Sequence, residues 1–220
     1  MRVLVVTAVT AEAESAAAGL AAGQRARTGP TVLAGGVGPA AAAASTATAL
    51  ARAAASDAPY GLVVSAGIGG GFRPHAPVGS LVVADAIVAA DLGADTPDGF
   101  LTVEELGFGR TAHLPPAALA ARAADATGAL VAPVLTVSTV TGTAARAAEL
   151  SARHPRAAAE AMEGFGVAEA AAAHGVPVLE IRAISNAVGP RDRAAWRVGD
   201  ALAALRTGFE RLGPLFEETS

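Results

Sequence analysis

Short runs of β-branched and other apolar residues alternate along this chain with longer stretches of helical periodicity. This alternation is typical of an α/β sheet whose strands are joined by crossover helices. Strands are predicted at residues 2–7, 31–33, 61–65, 80–87, 134–140 and 178–184, and helices at residues 11–22, 38–55, 116–126, 143–153, 166–174 and 193–212. Most of these strands are apolar throughout, which indicates burial on both faces. No repeat or linker interrupts the pattern, so one domain over residues 1–220 is predicted.

The last predicted helix has the clearest pattern, because its apolar residues recur at the spacing of one helical face. These residues are Val198, Leu202, Leu205, Phe209 and Leu212. Asp192 is expected to cap the start of this helix, and Gly213 with Pro214 to end it.

The composition fits a core that is built from small side chains. Hydrophobic residues make up 52% of the 220 residues but aromatic residues only 4%, because alanine supplies much of the apolar fraction. We therefore expect the helices to pack closely. A chain of this length can bury a sizeable core without disulfide bonds, and it contains no cysteine.

Charge and the apolar segments argue against several classes of partner. The 16 basic and 20 acidic residues give a net charge of -4 without long runs, which argues against nucleic acid. Glu12 and Glu14 follow the first apolar run at once, so a strand is predicted there instead of a signal peptide. The richest apolar run, residues 38–55, is too short and too polar to span a bilayer. We therefore expect a cytoplasmic protein with no membrane partner.

Three glycine-rich segments stand where predicted strands end, at residues 34–39, 66–71 and 139–143. Glycine lets a ligand approach the backbone, and ligands bind at the carboxyl ends of strands in open α/β sheets. Each segment alone is compatible with a tight turn, but the three together favour a binding site. Residues 36–41 also fit the G-x-G-x-x-A pattern of dinucleotide sites. The position of Asp57 argues against that alternative, because this acid precedes the next predicted strand instead of ending it.

Polar residues that could carry chemistry stand at similar places. They are Glu12 after the first strand, Glu163 in an apolar and glycine-rich junction before a helix, and Arg182, Ser185 and Asn186 at the end of a buried strand. Alternative roles are helix-start carboxylates for the two glutamates and a turn residue for Asn186.

The histidines predict no metal site. His75, His113, His154 and His174 lack the spacing of metal ligands, and the chain has no G-x-S-x-G motif for a serine nucleophile. Surface positions are predicted for all four.

Six segments, in this order along the chain, resemble the nucleoside phosphorylase and nucleosidase superfamily: residues 3–12, 36–38, 67–71, 78–83, 162–164 and 182–186. Within it, VTGTAARA at 140–147 and AISNAVGPRDRAAWRVGDAL at 183–202 are most similar to the futalosine hydrolase branch. The resemblance implies a single-domain mixed central β-sheet flanked by helices on both faces. It also implies hydrolysis of the N-glycosidic bond of futalosine in menaquinone biosynthesis, without metal or organic cofactor, by a homo-oligomer that binds a purine nucleoside.

The resemblance also implies roles for individual residues. Glu163 is expected to bind the ribose hydroxyls and Glu12 to activate water, with Glu14 as the alternative base. Asn186 stands where adenosine-type nucleosidases have an aspartate. Further contacts to the substrate are expected from Val37, Gly69, Gly70, Val140, Thr141, Met162, Arg182, Ser185 and Trp196.

The asparagine favours a 6-oxopurine such as hypoxanthine over adenine. Its amide donates through the NH2 group and accepts through its carbonyl, and a 6-oxopurine offers an O6 acceptor and an N1–H donor. The wrong pairing would leave buried polar groups unmet, at a cost on the order of 1–3 kcal/mol each.

Two features bear on the nucleophile and the 5′ substituent. Ser65 stands where the resemblance would place a phosphate-binding arginine, which favours water over phosphate as the nucleophile. Trp196 could stack on the aromatic 5′ group of futalosine or pack in the core. The benzoate of futalosine needs a cation, and Arg73, Arg110 and Arg191 stay open as candidates. Alternative functions are a methylthioadenosine, S-adenosylhomocysteine or inosine type of nucleosidase or phosphorylase, or a nucleoside-binding protein without activity.

Overall fold

The computed structural model describes residues 2–23 and 29–218. The ten strands in these ranges are β1 (Arg2–Thr7), β2 (Thr31–Ala34), β3 (Tyr60–Gly71), β4 (Leu81–Ala89), β5 (Gly93–Thr96), β6 (Gly99–Thr102), β7 (Ala112–His113), β8 (Leu130–Thr136), β9 (Ala159–Ala161) and β10 (Val178–Ala187). The helices in the same ranges are α1 (Thr10–Gly23), α2 (Pro39–Ala55), α3 (Ala117–Thr127), α4 (Ala144–Arg153), α5 (Gly164–Ala173) and α6 (Val198–Glu218), with a short 3₁₀ helix at Arg193–Ala195. The predicted alternation of strands and crossover helices is confirmed.

The central sheet is mixed and curls back on itself. Its strand order is β10-β4-β8-β9-β3-β1-β2, and β10 also pairs with β3, so five strands form a ring from which β1 and β2 extend. β10 runs parallel to β3 and antiparallel to β4. The first half of β3 pairs with β1 and its last two residues pair with β9. The strand ends around β3 therefore converge on one region of the molecule.

Helices cover both faces of the sheet, as the resemblance implied. One core cluster joins buried residues of α1, α3 and α6 to alternate residues of the strands, and a second joins α2 and α5 to the opposite face. In β1, Val3 and Val5 belong to the first cluster and Leu4 and Val6 to the second. This alternation with a period of two explains why the strand is apolar throughout.

Helix α1 lies very close to α6, which confirms the expected close packing. A Cβ atom on Gly19 would lie 2.1 Å from the carbonyl oxygen of Arg206, and one on Gly23 would lie 2.0 Å from that of Glu210. Only hydrogen fits at these two positions, so the backbones of the two helices are in direct contact.

The predicted start and the predicted end of the last helix are both wrong, because α6 spans Val198–Glu218. Asp192 caps the separate 3₁₀ helix, where its Oδ1 accepts a hydrogen bond from Ala194 N at 3.1 Å. Helix α6 then runs through Gly213 and Pro214 to Glu218. Pro214 has no N–H to donate to the carbonyl of Glu210, and this carbonyl faces Gly23 of α1, so contacts with α1 outweigh the local signal to stop.

The second glycine-rich segment is also not the loop that its composition suggested. Residues 66–71 continue strand β3, which pairs with β10 as far as Gly71. Strands β5, β6, β7 and β9 were not predicted, because each is only two to four residues long. None of the helices within residues 2–23 and 29–218 is long and apolar enough to cross a membrane.

Candidate active site

One cavity collects the side chains of Glu12, Glu163 and Asn186. It lies where β1, β3, β8, β9 and β10 end, which is where ligands bind in α/β sheets. The other residues of its wall are Ala8, Ile68, Gly69, Gly70, Val140, Thr141, Glu160, Ala161, Met162, Ser185, Ala187, Val188, Gly189, Pro190, Arg191 and Trp196. The glycine-rich end of β3 and the loop that follows β8 are therefore parts of one site.

Glu12 lies in the first turn of α1 and is buried. Its Oε2 accepts hydrogen bonds from the backbone N–H groups of Ala8 and Val9, at 3.0 and 3.2 Å. Its Oε1 accepts from Ile68 N at 2.9 Å, which ties α1 to β3. The helix N-terminus and these three donors hold a carboxylate in one orientation at the wall of the cavity.

Glu163 is the N-cap residue of α5 and is also buried. Its Oε1 accepts from Gly38 N at 3.1 Å and its Oε2 from Arg182 Nη1 at 3.1 Å. A Cβ atom on Gly166 would lie 2.0 Å from the carbonyl oxygen of Pro39, so α5 and the start of α2 touch through this glycine. That contact brings Gly38 within reach of Glu163.

Arg182 lies behind the cavity wall and is completely buried. Its Nε donates to Glu180 Oε1 at 2.9 Å and its Nη2 to Ser65 Oγ at 3.0 Å, besides the bond to Glu163. Burial opposes the charge of the guanidinium, but Glu180, Glu163 and Glu12 outweigh it and raise the pKa of Arg182. Arg182 is thus a fixed cation that orients Glu163.

Glu180 is the second acid of this buried cluster. Burial raises the pKa of its carboxyl group, although Arg182 opposes the shift. Its Oε2 has no hydrogen-bond partner among the residues that the structure describes. A Cβ atom on Gly164 would lie 2.2 Å from Glu180 Oε1, so this carboxylate packs directly on the start of α5.

Asn186 stands near the end of β10, half-buried. Its Nδ2 donates to Ala187 O at 3.1 Å, and its Oδ1 accepts from Ser185 Oγ at 2.7 Å. Because an amide NH2 group has two hydrogens, one donor of Asn186 is left for a ligand.

Glu160 on β9 is a buried carboxylate in the same wall that the sequence did not point out. Thr141 donates to it twice, from its backbone N to Oε1 at 2.8 Å and from its hydroxyl to Oε2. Burial raises the pKa of Glu160, and the two hydrogen bonds from Thr141 oppose this shift only in part.

Most of the predicted substrate contacts lie in the cavity wall, and two do not. Gly69, Gly70, Val140, Thr141, Met162, Ser185 and Trp196 line it. Val37 is 57% exposed, in the loop before α2, and is not part of the wall, because the backbone of this loop and not its side chain turns toward Glu163. Arg182 acts behind the wall instead of on it, because its donors are used by Glu163, Glu180 and Ser65.

The structure separates the alternatives that the sequence left open. Glu14 is exposed on α1, whereas Glu12 reaches the cavity. Arg73, Arg110 and Arg191 are all exposed, but of these three Arg191 alone lines the cavity. The guanidinium of Arg191 lies 5.6 Å from the ring centre of Trp196, a cation–π distance.

Surface positions for all four histidines were a wrong prediction. His113 is buried, with its Nε2 at 2.7 Å from Glu169 Oε1 and its ring centre at 5.3 Å from that of Phe165. His154 is half-buried, and burial lowers its pKa. Within residues 2–23 and 29–218, no group of three or more His, Asp and Glu residues could hold a metal ion.

The dinucleotide alternative finds no support in the structure. Asp57 lies in the turn beyond the end of α2, and Gly38 caps the start of this helix. The helix has 17 residues, so its length of about 25 Å separates Asp57 from Gly36 and Gly38.

Comparisons with known proteins agree with this geometry. The chain matches the family described as the phosphorylase superfamily over residues 6–214. It is 64% identical to a futalosine hydrolase from Streptomyces coelicolor, over 99% of this chain and 97% of that protein. It is 46% identical to a futalosine hydrolase from Acidothermus cellulolyticus, over 96% of this chain and 89% of that protein.

Solved structures show the same fold at low sequence identity. A futalosine hydrolase from Helicobacter pylori superposes with a TM-score of 0.79 at 17% identity, over 99% of this chain and 98% of that one. A methylthioadenosine/S-adenosylhomocysteine nucleosidase from Colwellia psychrerythraea, in complex with adenine, gives 0.75 at 22% identity over 98% and 96%. These structures show the fold; the family match over residues 6–214 and the near-complete matches to the curated relatives show that the chain belongs to the phosphorylase superfamily and, within it, to the futalosine hydrolases.

Proposed function

We propose that this chain hydrolyses the N-glycosidic bond of futalosine and releases hypoxanthine and dehypoxanthine futalosine. The observation that carries the proposal is one cavity in which two buried carboxylates and one carboxamide meet, from α1, the start of α5 and the end of β10. The near-complete similarity to futalosine hydrolases supports the same substrate.

Glu163 binds the 2′ and 3′ hydroxyls of the ribose in this proposal. Arg182 and Gly38 already donate to its two oxygens, so the carboxylate keeps its orientation while its remaining lone pairs face the cavity. As the bond to the base weakens, positive charge develops on the sugar, and a fixed carboxylate stabilises this charge without reorganisation.

Glu12 takes a proton from the attacking water. The oxygen of that water forms a bond to C1′ while the bond from C1′ to the purine nitrogen breaks. The electron pair of the broken bond leaves with the base. Three backbone N–H groups fix the carboxylate in the wall, which is the geometry that a general base needs.

Asn186 donates to the departing base through its free amide hydrogen. An asparagine has no acidic proton to give, so the base must leave as an anion held by hydrogen bonds. Hypoxanthine leaves more readily in this form than adenine does, and this difference favours the 6-oxopurine substrate.

Phosphorolysis is the alternative within the superfamily, and the structure gives it little support. Ser65 stands where the resemblance places a phosphate-binding arginine, and its hydroxyl accepts a hydrogen bond from Arg182 inside the core. Each side-chain nitrogen of Arg182 already has a hydrogen-bond partner, and among the residues that the structure describes the arginine in the wall is Arg191. Water is the nucleophile that such a site tolerates.

Arg191 and Trp196 form the end of the site that binds the 5′ substituent. Both line the cavity, and the guanidinium stacks over the indole ring. No carboxylate pairs with Arg191 within the part of the chain that the structure describes. A benzoate would place its ring on the indole and its carboxylate on the guanidinium.

The proposal includes self-association, a place in menaquinone biosynthesis and a cytoplasmic location. Phe108 and Leu114 are 82% and 76% exposed, which is unusual for such large apolar side chains and supports burial against a second copy. Gel filtration with light scattering measures the assembly.

The direct test compares three nucleosides in phosphate-free buffer and in buffer with phosphate. Futalosine should release hypoxanthine at the same rate in both, and inosine and methylthioadenosine should react much more slowly. Release that requires phosphate, or a preference for methylthioadenosine, would contradict the proposal. The matched variant Arg191→Ala should raise KM for futalosine at least tenfold and leave that for inosine within a factor of three.

A further inference from the structure

Glu160 is a buried carboxylate in the cavity that the mechanism above does not use. It is only 5% exposed, yet its side chain forms part of the wall together with Asn186 and Glu163. Its two hydrogen bonds both come from Thr141, a neutral residue. Among the residues that the structure describes, no cation is hydrogen-bonded to this carboxylate, and a carboxylate held in this way at a substrate cavity calls for a functional explanation.

The sheet places Glu160 opposite Asn186. Gly70 on β3 pairs with Asn186 on β10 and with Glu160 on β9, so the two residues flank this glycine on either side. Paired residues of neighbouring strands project their side chains to the same face, and two strand spacings separate the flanking backbones by about 10 Å. A Cβ atom on Gly70 would lie 2.9 Å from Val188 Cγ2 and 3.4 Å from Asn186 Nδ2, so Asn186 and the residue just after β10 cover this glycine and only hydrogen fits there.

The two groups differ in what they offer to a ligand. Asn186 has a free N–H donor, as described above. Each oxygen of Glu160 accepts one hydrogen bond from Thr141 and keeps further acceptor capacity, while an ionised carboxylate has nothing to donate. The cavity wall therefore holds a donor from one of the strands that flank β3 and an acceptor from the other.

We propose that Glu160 is a specificity-determining residue that accepts the N1–H of a 6-oxopurine base while Asn186 donates to its oxygen-bearing side. This inference rests on the proposed function and deepens it. Adenine has an acceptor at N1 and a donor at its exocyclic amine, so both contacts would be mismatched. Two fixed groups on the strands that flank β3 thus select the 6-oxopurine and reject the 6-aminopurine.

The variant Glu160→Gln tests the inference with a change of one atom. The Gln carbonyl keeps the bond from Thr141 N, and its NH2 group can donate to the Thr141 hydroxyl and into the cavity. This NH2 group then faces the N1–H of hypoxanthine, donor against donor, whereas it can donate to the N1 acceptor of adenine. The ratio of kcat/KM for futalosine over that for its 6-amino analogue should fall by at least fivefold, within the range of about 5- to 150-fold for a mismatched buried hydrogen bond.

Binding of the free bases gives a second readout without catalysis. Calorimetry should show weaker binding of hypoxanthine and tighter binding of adenine to Glu160→Gln than to the unmodified protein. The control is Glu210→Gln, which removes an exposed carboxylate on α6. It should leave unchanged both the kcat/KM ratio of the two nucleosides and the affinities for the two free bases. A ratio that falls by less than fivefold in Glu160→Gln would overturn the inference.

Two outcomes keep this inference separate from the proposed function. If the unmodified protein does not hydrolyse futalosine, the proposed function fails. If it does and the base preference does not depend on Glu160, only the inference fails. Should Glu160→Gln not fold, the affinities of the unmodified protein for two bases still test the inference. 1-Methylhypoxanthine, which lacks N1–H, must bind at least fivefold more weakly than hypoxanthine. Equal affinity would overturn the inference.

Discussion

A methyl group on Gly67 should disable the enzyme without unfolding it. A Cβ atom there would lie 2.6 Å from Glu12 Oε1 and 2.9 Å from Arg182 Nη1, so the two charged groups pack against the same glycine. Neither can move cheaply, because Glu12 accepts three backbone hydrogen bonds and Arg182 is completely buried between its partners.

The size of the effect follows from the distance that Glu12 must move. An ordinary contact begins at 3.4 Å, so Oε1 has to shift by 0.8 Å from its position at 2.6 Å. A displacement of about 1 Å in a reacting group costs on the order of 10²-fold in rate, or about 2.7 kcal/mol of the activation barrier. We therefore expect Gly67→Ala to lower kcat/KM for hypoxanthine release from futalosine about 100-fold.

The matched control is Gly199→Ala in the first turn of α6, where no atom of the residues that the structure describes lies within 4 Å of the added methyl group. Because alanine favours a helix over glycine by up to about 1 kcal/mol, this variant should keep full activity and a melting temperature at least as high. If Gly67→Ala remains folded and retains more than one third of the activity, Glu12 is not held in the way described.

Three further predictions concern the charged and polar groups of the site. Glu180→Ala removes a partner of the buried cation Arg182 and should lower the free energy of unfolding, measured by chemical denaturation, by about 3–5 kcal/mol. Glu180→Gln keeps an acceptor for Arg182 Nε and should lower it clearly less, so equal losses in the two variants would contradict the pairing. The preference for hypoxanthine over adenine, measured by calorimetry, should weaken as the pH falls through the pKa of Glu160, because the protonated carboxyl group can donate a hydrogen bond. Burial raises this pKa; Arg146 opposes the upward shift and Asp91 adds to it. A preference that is constant with pH would speak against an ionised acceptor. Asn186→Asp should lower turnover of futalosine and raise that of its 6-amino analogue, since an ionised aspartate repels O6 and accepts from an exocyclic amine, and a uniform loss on both nucleosides would show that the residue does not read the base.

The sequence was sufficient for those parts of the site that follow local rules. Glu12 lies at the start of the helix that follows a buried strand, and Glu163 directly precedes another helix, so both carboxylates could be placed near helix starts from the order of residues alone. Asn186 ends a strand whose apolar pattern is clear. The α/β order of elements followed from the same periodicity.

The parts that could not be predicted depend on contacts between distant segments. Residues 66–71 have the composition of a loop but form a strand that pairs with β10. Glycine is needed in this strand because Glu12 and Arg182 lie where a side chain of Gly67 would stand, and the backbone of Glu160 lies where one of Gly69 would stand. Glu160 and Glu180 stand inside short or apolar strands, where single acidic residues give no sequence signal. Their partners, Thr141 and Arg182, became visible only with the fold.

The most direct test of the account measures binding and chemistry separately in Glu12→Gln. The amide keeps the size of the side chain but cannot take a proton from water, so futalosine should bind within threefold of the normal affinity while single-turnover release of hypoxanthine falls by about 10²- to 10⁴-fold. Release at an undiminished rate would show that another group activates the water, and the central role of Glu12 in this cavity would be wrong.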